Sequence, residues 1–318
     1  MNTLSVKVTK KTVEARDIVS FELMASDGGD LPSFAAGAHV DVHVAPGIVR
    51  QYSLCNAPHE RHRYRIAVLR DPASRGGSAG MHDAVAEGDV IQISAPKNHF
   101  ALTAAPRVLL LAGGIGVTPL LCMAQAMAAS GADFDMHYCG RSLSSIAFQA
   151  EIAASAYGDK VHFHADDGAA EQKLDIQRLL AANAVGTPLY VCGPGGFIDF
   201  VMQSARQAGW EDSQIHREYF GAAAVSNADA HAFEVQAAST GKRYRIPADK
   251  SVIEVLAEQG VEIPVSCEQG VCGTCITRVL EGVPDHRDMY FNDEEHARND
   301  QFTPCCSRAK SALLVLDI

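Results

Sequence analysis

The sequence predicts a multidomain protein with an antiparallel β-barrel, an α/β domain built on a parallel sheet, and a small α+β domain. Three observations support this fold class. Short alternating strands fill the first hundred or so residues, strands and helices alternate from 102 to 225, and a small, polar stretch at 221–230 precedes a cysteine-rich region. The length of 318 residues favours two or three domains at about 100–200 residues each. We therefore predict domains at 1–101, 102–225 and 226–318.

The predicted barrel rests on strands with alternating or β-branched residues, separated by Gly, Pro and Asp turns. These segments read VKVTKKTVEA, IVSFELMA, AHVDVHVAP, VRQYSLCN, RYRIAVLR and DVIQISAP. Their short, even spacing is typical of an antiparallel barrel.

The α/β domain is predicted from the order of its segments. RVLLLAGG, FDMHYCGR, KVHFHAD and PLYVCGP read as strands, whereas TPLLCMAQAMAASG, SIAFQAEIAASA, LDIQRLLAA and GFIDFVMQSARQAG read as helices. In the first helix we expect Thr118 as N-cap, Pro119 at the first helical position and Gly131 at the C-terminal stop.

The C-terminal block begins with a predicted hairpin that turns at Thr240 and Gly241. Ser251 and Glu254 form a predicted capping box, and Gly260 ends the helix that follows. The final segment, SALLVLDI, reads as a strand.

Composition excludes several classes of protein. A net charge of -11 argues against nucleic-acid binding, which needs a basic patch. The longest apolar run, VLLLAGGIGV, is too short to cross a membrane, and the N-terminal stretch has no apolar signal-peptide region. The nine cysteines are an odd number and cluster near the C-terminus, which argues against a disulfide framework. We expect a cytoplasmic protein.

Three of the cysteines have a diagnostic spacing. Cys267, Cys272 and Cys275 form C-x4-C-x2-C, the pattern of a plant-type [2Fe–2S] cluster with one distant fourth ligand. Zinc is the alternative, although its sites commonly use paired C-x2-C motifs. Gly270 and Gly273 would relieve crowding in the loop and let backbone N–H groups point at sulfur. The fourth ligand is either Cys305 or Cys306.

Two earlier motifs suit a phosphate-bearing aromatic cofactor. RQYSLCN places Arg50 and Tyr52 where a guanidinium binds phosphate and a phenol ring packs on a flavin. RGGSAGMH, at 75–82, supplies a glycine–serine turn whose amides and hydroxyl suit phosphate. Each motif alone also describes an ordinary strand or turn.

Two glycine-rich strand ends suit a dinucleotide. LLLAGGIGVTPLL is not the G-x-G-x-x-G fingerprint, but its strand-to-helix turn can hold a pyrophosphate at the helix N-terminus. YVCGPGGF follows a later strand. The candidate residues are Gly113, Gly114, Gly116, Thr118, Pro119, Cys192, Gly193 and Pro194.

The order of these motifs resembles the ferredoxin–NADP reductase superfamily, and most closely the phthalate dioxygenase and vanillate O-demethylase reductases. CEQGVCGTC and CCSRAKSALLVLDI resemble that family's C-terminal ferredoxin domain, and the resemblance covers essentially the whole chain. It implies that the three domains bind FMN, NADH and a [2Fe–2S] cluster, the last in a β-grasp fold. It also implies that Cys305, in C-x-S-R with Ser307 and Arg308, is the fourth cluster ligand, and that Cys306 is not.

The resemblance further implies site residues. Those of the flavin site are Arg50, Gln51, Tyr52, Ser53, Ala67, Val68, Leu69, Gly76, Gly77 and Ser78. Cys192 would lie beside the nicotinamide and Phe220 of HREYFG near the flavin. Glu218 is either a helper near the nicotinamide or a solvated glutamate. The lack of an extra loop between GGSAGMH and EGDVIQISAPKNHF favours FMN over FAD.

Selection between NADH and NADPH depends on groups near the adenosine ribose. Asp166 and Asp167 follow the third strand of the α/β domain and favour the free 2′-hydroxyl of NADH. Arg141 follows the second strand and would suit the 2′-phosphate of NADPH. We expect NADH.

The three sites together predict an electron-transfer enzyme. Nicotinamide gives two electrons as a hydride, a [2Fe–2S] cluster takes one at a time, and a flavin converts between the two. The predicted function is a monomeric NADH-dependent reductase for a separate Rieske-type aromatic oxygenase. The alternatives are a module serving a haem monooxygenase and a redox-sensing flavin and iron–sulfur protein without turnover. His82, His137 and His162 read as surface or core residues rather than ligands.

Overall fold

The computed structural model describes residues 3–72, 74, 76–221 and 231–318. The chain forms two compact units, Met1–Glu218 and Tyr219–Ile318. Apart from Gly221, the predicted linker lies outside the described residues, as does Arg75 of the glycine–serine motif.

The first unit begins with six strands and a short helix. They are β1 (Thr3–Ala15), β2 (Ile18–Ala25), β3 (His39–Ala45), β4 (Ile48–Ser53), β5 (Tyr64–Leu69), α1 (Gly77–Asp83) and β6 (Val90–Ser94). The strand order is β4-β3-β6-β1-β2-β5, with antiparallel pairing. An antiparallel bridge between Leu54 and Ile66 joins the two edges. The predicted antiparallel barrel is confirmed.

A parallel sheet with helices completes this unit. Its elements are β7 (Arg107–Gly113), α2 (Val117–Ser130), β8 (Asp133–Gly140), α3 (Gln149–Ala154), β9 (Val161–Ala165), α4 (Ile176–Ala182), β10 (Leu189–Gly193), α5 (Gly195–Gln207) and β11 (Ile215–Tyr219). The order is β11-β10-β7-β8-β9, and the four strands from β10 to β9 are parallel. Strand β7 is buried on both faces, which explains its continuous apolar sequence. The α/β prediction is confirmed.

The start of α2 differs from the prediction. A 3₁₀ turn at Gly114–Gly116 already brings the chain into helical geometry, so α2 begins at Val117 without a side-chain cap. Thr118 is therefore inside the helix, where its hydroxyl donates to the Ile115 carbonyl at 3.1 Å. Pro119 still lies in the first turn, where its missing N–H costs no helical hydrogen bond. The C-terminal stop is as predicted, with Gly131 at φ 74°.

Helix α3 is shorter than the predicted helix at 145–156. Phe148 has φ 62°, in the left-handed region, so a helix cannot run through it and α3 begins at Gln149. The Phe148 ring is buried in the core and packs under the Arg65 guanidinium, 4.8 Å from the ring centroid. Tertiary packing therefore overrides the local helical pattern here.

The second unit is a small α+β fold. Its elements are β12 (Phe233–Ala237), β13 (Arg243–Ile246), α6 (Val252–Glu258), β14 (Thr277–Glu281), β15 (Pro284–Asp285), α7 (Asp293–Arg298), β16 (Gln301–Phe302), β17 (Arg308–Ala309) and β18 (Leu313–Leu316). The main sheet has the order β13-β12-β18-β14-β16, in which β12 and β18 are parallel. The predicted α+β fold is confirmed.

Local signals account for much of this unit. Ser251 and Glu254 form the predicted capping box of α6, and Gly260 follows with φ 76°. Gly241 lies in the predicted hairpin turn with φ 69°. Among the described residues, no helix has the length and apolar character needed to cross a lipid bilayer.

Candidate cofactor sites

The cysteines predicted to bind iron lie together in the second unit, and all four are buried. The thiols of Cys267 and Cys272 are hydrogen-bonded to each other. Those of Cys275 and Cys305 form a second pair. The fold thus joins the cysteine loop to the segment before β17, as a four-thiolate cluster would require.

Backbone amides point at two of these sulfurs. The Gln269 N–H donates to Cys267 Sγ at 3.3 Å, and the Thr274 N–H donates to Cys272 Sγ at 3.5 Å. Such donors offset negative charge on a buried cluster. The donor set of soft thiols and the surrounding amides therefore fits a [2Fe–2S] group.

Two glycines shape the cysteine loop as the sequence suggested. Gly270 and Gly273 have φ of 70° and 69°. A Cβ at Gly273 would come within 2.5 Å of the Tyr290 ring, and one at Gly270 within 2.4 Å of Cys306 Sγ. Both positions therefore need glycine for backbone geometry and for space.

Thiolates are favoured on one member of each pair. Hydrogen bonding from Cys267 lowers the pKa of Cys272 to about 5. Hydrogen bonding from Cys305 lowers the pKa of Cys275. The same hydrogen bonds raise the pKa of Cys267 and of Cys305, so each pair shares a proton that metal binding would displace.

Cys306 has a different environment from its neighbour. It is only partly buried, and its sulfur lies 3.4 Å from the Thr303 hydroxyl oxygen. Its thiol is hydrogen-bonded to that of Cys305 and lies against Gly270, whereas the Cys305 thiol also contacts Cys275. The assignment of Cys305 as fourth ligand stays a prediction.

The remainder of the C-x-S-R motif supports the cluster loop. The Ser307 hydroxyl accepts from the Arg287 N–H at 3.1 Å and donates to the buried Asp288 carboxylate at 3.4 Å. The buried Arg308 guanidinium donates to the backbone carbonyls of His231, Pro247 and Lys250. Ser307 and Arg308 thus tie the C-terminal segment to the rest of the unit.

The two predicted phosphate motifs of the flavin site meet in the barrel. A Cβ at Gly77 would lie 2.6 Å from Cγ and Nε of Arg50, so only glycine lets α1 approach this arginine. Gly76, with φ 85°, is the N-cap residue of α1. The Ser78 hydroxyl accepts from the Asp71 N–H at 3.0 Å, which leaves its proton available to a phosphate. The cradle fits a phosphate-bearing flavin.

The side chains along β4 have different partners. The Gln51 amide donates to Asp41 Oδ1 at 3.1 Å and lies 3.2 Å from His39 Nε2. Its side chain is therefore committed to the neighbouring strand, β3. Tyr52 is partly buried, and burial raises the pKa of its phenol, which stays protonated.

The predicted flavin segment of β5 is mostly buried. Ala67 and Val68 are 4% and 1% exposed, whereas Leu69 is 41% exposed. An imidazole nitrogen of His82, on α1, lies 2.9 Å from the Val68 carbonyl oxygen. His82 thus joins α1 to β5.

The two glycine-rich strand ends lie against each other at the carboxyl edge of the parallel sheet. A Cβ at Gly116 would lie 2.2 Å from the Cys192 carbonyl oxygen. A Cβ at Gly193 would lie 2.9 Å from Gly113 Cα. Gly114 adds a left-handed residue at φ 54°. This edge is where open α/β sheets bind nucleotides, and its bare backbone fits a pyrophosphate.

Three side chains from separate elements meet between the barrel and this edge. Glu218, at the end of the first unit, is hydrogen-bonded to Ser53 of β4. Glu218 also lies close enough to Cys192 of β10 for its charge to raise the pKa of that buried thiol, which burial itself raises most. The structure therefore joins the predicted flavin strand to the predicted nicotinamide cysteine.

Glu218 is not a solvated glutamate. Its Oε2 atom is buried and has no hydrogen-bond partner. Burial raises the pKa of its carboxyl to about 8, although the Ser53 hydrogen bond opposes this in part. Glu218 is thus largely protonated at neutral pH, beside an un-ionised Cys192 thiol.

The groups predicted to select the nicotinamide nucleotide also lie at this edge. The Asp166 N–H donates to the Gly140 carbonyl at 3.0 Å, and the Asp167 N–H donates to the Arg141 carbonyl at 3.1 Å. All three charged side chains are exposed. Phe220 directly follows β11 and is 39% exposed, and its predicted role near the flavin stays a prediction.

Comparison with known proteins identifies related domains and related whole chains. The family model of the 2Fe-2S iron-sulfur cluster binding domain matches residues 235–310. That of the dimethylamine monooxygenase subunit DmmA-like N-terminal domain matches residues 97–215. A vanillate O-demethylase oxidoreductase of Pseudomonas sp. is 53% identical, with 99% of this chain and 100% of the relative covered.

The chain belongs to the vanillate O-demethylase oxidoreductase and phthalate dioxygenase reductase family. A solved phthalate dioxygenase reductase, described as a modular structure for electron transfer from pyridine nucleotides to [2Fe-2S], is 40% identical. Its TM-score is 0.79, with 100% of this chain and 98% of that chain covered. An intact type IV self-sufficient cytochrome P-450 monooxygenase is 35% identical with a TM-score of 0.84, and the match covers 99% of this reductase but 41% of that chain. The predicted oxidoreductase function, as reductase component of an oxygenase system, is confirmed.

Sequence reasoning missed one contributor to the cluster site of this reductase. The Asp288 carboxylate is fully buried and accepts hydrogen bonds from the Tyr290 and Phe291 N–H groups at 3.2 and 2.9 Å. The Met289 N–H donates to the Gly270 carbonyl at 3.0 Å, which fixes this segment against the cysteine loop. No local spacing links 288 to the cysteines, so only the fold reveals it.

Proposed function

We propose that this reductase takes a hydride from NADH at an FMN site and passes electrons singly through a [2Fe–2S] cluster to a Rieske-type oxygenase. The observation that carries the proposal is the meeting of Ser53, Cys192 and Glu218. Hydride transfer requires flavin and nicotinamide to be in contact, and these residues join the predicted sites for the two groups. When bound, the flavin converts a two-electron donor into a one-electron source for the cluster.

The side chains hold and shield the reacting groups. Arg50 and the glycine turn of α1 would hold the FMN phosphate, and Ser53 would lie beside the flavin. Cys192 and protonated Glu218 would line the nicotinamide pocket with uncharged groups. Such a lining would exclude water from the space where the hydride is transferred. The glycine-rich strand ends at 113–116 and 193–194 would hold the pyrophosphate of the nucleotide.

The partner follows from the family. Relatives named as vanillate and phthalate oxygenase reductases support an oxygenase partner with aromatic substrates, although relatives named for tert-butanol and carnitine monooxygenases are similar too. We infer that the partner has a Rieske centre, that the reductase works in the cytoplasm, and that it is a monomer. A second candidate partner is a haem monooxygenase, because the structural match to the self-sufficient monooxygenase has the higher TM-score of the two.

Stopped-flow spectroscopy with NADH and a purified Rieske oxygenase tests the proposal. We expect flavin reduction first, then cluster reduction, and then reduction of the oxygenase within turnover time. Reduction of a haem monooxygenase but not of any Rieske protein would establish the second candidate. Failure of NADH to reduce the flavin would refute the hydride step.

Arg50→Ala should weaken flavin binding by about ten- to a hundredfold, because a charged hydrogen bond contributes roughly 1.5–3 kcal/mol. Iron content should stay at the wild-type level, since the cluster belongs to the second unit. Flavin retention during dialysis measures the effect, and chromatography of acid-released flavin identifies FMN. Unchanged affinity would remove Arg50 from the site, and FAD in the extract would refute the FMN assignment.

NADH should be preferred over NADPH because Asp166 and Asp167 repel a 2′-phosphate. Changing Asp166 to Ser and Asp167 to Arg together should change the ratio of the two kcat/KM values in favour of NADPH. The expected change is equivalent to roughly 1–3 kcal/mol. Arg141→Ala is the control, and it should leave the NADH value near that of wild type. A wild-type preference for NADPH would contradict the assignment.

A further inference from the structure

A group of histidine and aspartate side chains lies on the parallel sheet, away from the cofactor edge. Asp135 and His137 are on β8, and His162 is on the edge strand β9. The parallel register places His137 directly opposite His162. Since paired residues in adjacent strands face the same side, these three side chains converge, and we name them the histidine–aspartate cluster.

The distances within the cluster match those of a metal site. Asp135 Oδ1 lies 3.4 Å from His137 Nε2 and 3.1 Å from His162 Nε2. Tetrahedral zinc, with bonds of about 2.0–2.1 Å, needs donor atoms roughly 3.3 Å apart. One carboxylate oxygen and two imidazole nitrogens are therefore positioned as three of its four ligands, with water as the fourth.

The polar atoms of His137 indicate which nitrogen would bind the ion. Its Nε2 atom is buried, lies 3.4 Å from Asp135 Oδ1 and makes no hydrogen bond of good geometry. Its Nδ1 atom lies 2.8 Å from His164 Nε2. Metal-binding histidines donate their second N–H to a neighbouring acceptor, which leaves the other nitrogen bare for the ion. With its proton on Nδ1 and donated to His164, His137 would have this arrangement, and its Nε2 would be left to bind the ion.

The cluster is open to solvent on one side. The His162 side chain is 51% exposed, whereas those of Asp135 and His137 are 21% and 12% exposed. Arg107 lies 3.8 Å from Asp135 Oδ2, the oxygen that does not face the histidines. An ion can therefore enter past His162 while Arg107 orients the carboxylate.

A comparable group in the second unit has an unpartnered nitrogen, the buried His286 Nδ1, but its carboxylate is already committed. His286, Asp288 and His296 also converge. Both oxygens of Asp288 already accept hydrogen bonds, Oδ2 from backbone amides and Oδ1 from the Ser307 hydroxyl. That group therefore serves the cluster loop, whereas Asp135 Oδ1 has only histidine nitrogens before it.

We propose that Asp135, His137 and His162 bind one divalent transition-metal ion of the zinc class. Imidazole and carboxylate ligands suit zinc, and the ion would cross-link the edge strand β9 to β8. The site is separate from electron transfer. About 10 Å of strand lies between His137 and Gly140, where β8 reaches the cofactor edge, at roughly 3.3 Å per residue. The alternative is a metal-free ion pair of Asp135 with protonated histidine.

The test uses untagged holoprotein, treated with a chelator and then titrated with Zn²⁺ in equilibrium dialysis. Zinc and iron are measured in the same sample. Zinc that has replaced iron at the cluster cysteines is then recognised because the iron content falls. We expect one zinc per chain at full iron content, and a higher Tm with zinc. His162→Gln and Asp135→Asn should each weaken zinc binding by at least about tenfold, the scale of losses when a metal site is disturbed.

The control variant is His62→Gln, which changes an exposed histidine on the barrel and should bind zinc as wild type does. Flavin and iron contents of each variant report that it is folded. Since His162 is largely exposed, its replacement should leave them intact. No zinc at full iron content would overturn the proposal in favour of the ion pair. Wild-type zinc affinity in both His162→Gln and Asp135→Asn would also overturn it.

Discussion

Cys305→Ser should abolish the [2Fe–2S] cluster while leaving the flavin in place. Its thiol is buried against Cys275 in the cysteine loop, and a serine hydroxyl is a poor replacement for a soft thiolate. Reduction of the oxygenase, or of cytochrome c, should fall to near zero because the one-electron exit is lost. NADH-dependent reduction of ferricyanide should continue, since the proposed flavin site is made by residues of the first compact unit.

Cys306→Ser is the matched control, one residue away. The Cys306 sulfur contacts the Thr303 hydroxyl, and a serine can keep that contact. We expect wild-type iron content and the same low-temperature electron paramagnetic resonance signal in the reduced protein. Both variants differ from wild type by one sulfur-to-oxygen change. Any difference between them therefore reflects the position of the cysteine and not the type of substitution.

The opposite result would be equally informative. Loss of the signal in Cys306→Ser with retention in Cys305→Ser would mean that the ligand assignment is wrong by one residue. If neither variant slowed reduction of the oxygenase, the cluster would not lie on the electron path. The proposed route from nicotinamide to flavin to iron would then have to be abandoned.

Features with local causes could be predicted from the sequence. The capping box of Ser251 and Glu254 and the left-handed Gly131 each depend on a few neighbouring residues. The periodicity of apolar residues likewise predicts the barrel and the parallel sheet, and the spacing of the cysteines predicts the cysteine loop. The start of α2 was misplaced because a glycine-rich 3₁₀ turn precedes it, and such turns have little sequence signal.

Features that depend on distant contacts could not be predicted. From the sequence, His137 and His162 read as surface or core residues rather than ligands, and only the register of β8 and β9 shows that they lie opposite each other. Likewise, nothing near Glu218 in the sequence indicates that Ser53 would be its partner. Phe148 has a left-handed backbone conformation because its ring packs in the core and under Arg65, which is far from it in the sequence.

Glu218→Gln should stabilise the protein above about pH 5, by an amount that grows with pH. The carboxyl is held in a buried site where one oxygen has no partner, and its pKa is raised from 4.5 to about 8. A raised pKa means that the folded state binds this proton more tightly than the unfolded state does. The stability contributed by the proton is therefore complete below pH 4.5 and is lost as pH rises through 8.

The expected effect is large for one residue. Each pKa unit corresponds to about 1.4 kcal/mol, so ionising Glu218 costs the folded state on the order of a few kcal/mol by pH 8. Glutamine has the same shape and keeps a donor and an acceptor, yet it carries no charge at any pH in this range. The difference in stability between Glu218→Gln and wild type should be small near pH 5, rise to pH 8, and stay constant above it.

Thermal unfolding at a series of pH values measures this difference, with Glu171→Gln as control because Glu171 is exposed in the same unit. The control should show no such rise in Tm relative to wild type.

Infrared spectroscopy gives a direct check: a protonated-carboxyl band should be present in wild type at pH 7, fade near pH 8, and be absent from Glu218→Gln at both. A Tm difference that is the same at pH 5 and pH 8 would show that Glu218 is already ionised at neutral pH. The proposal of an uncharged nicotinamide pocket would then be wrong, because a carboxylate beside Cys192 would attract water to the place where the hydride is transferred.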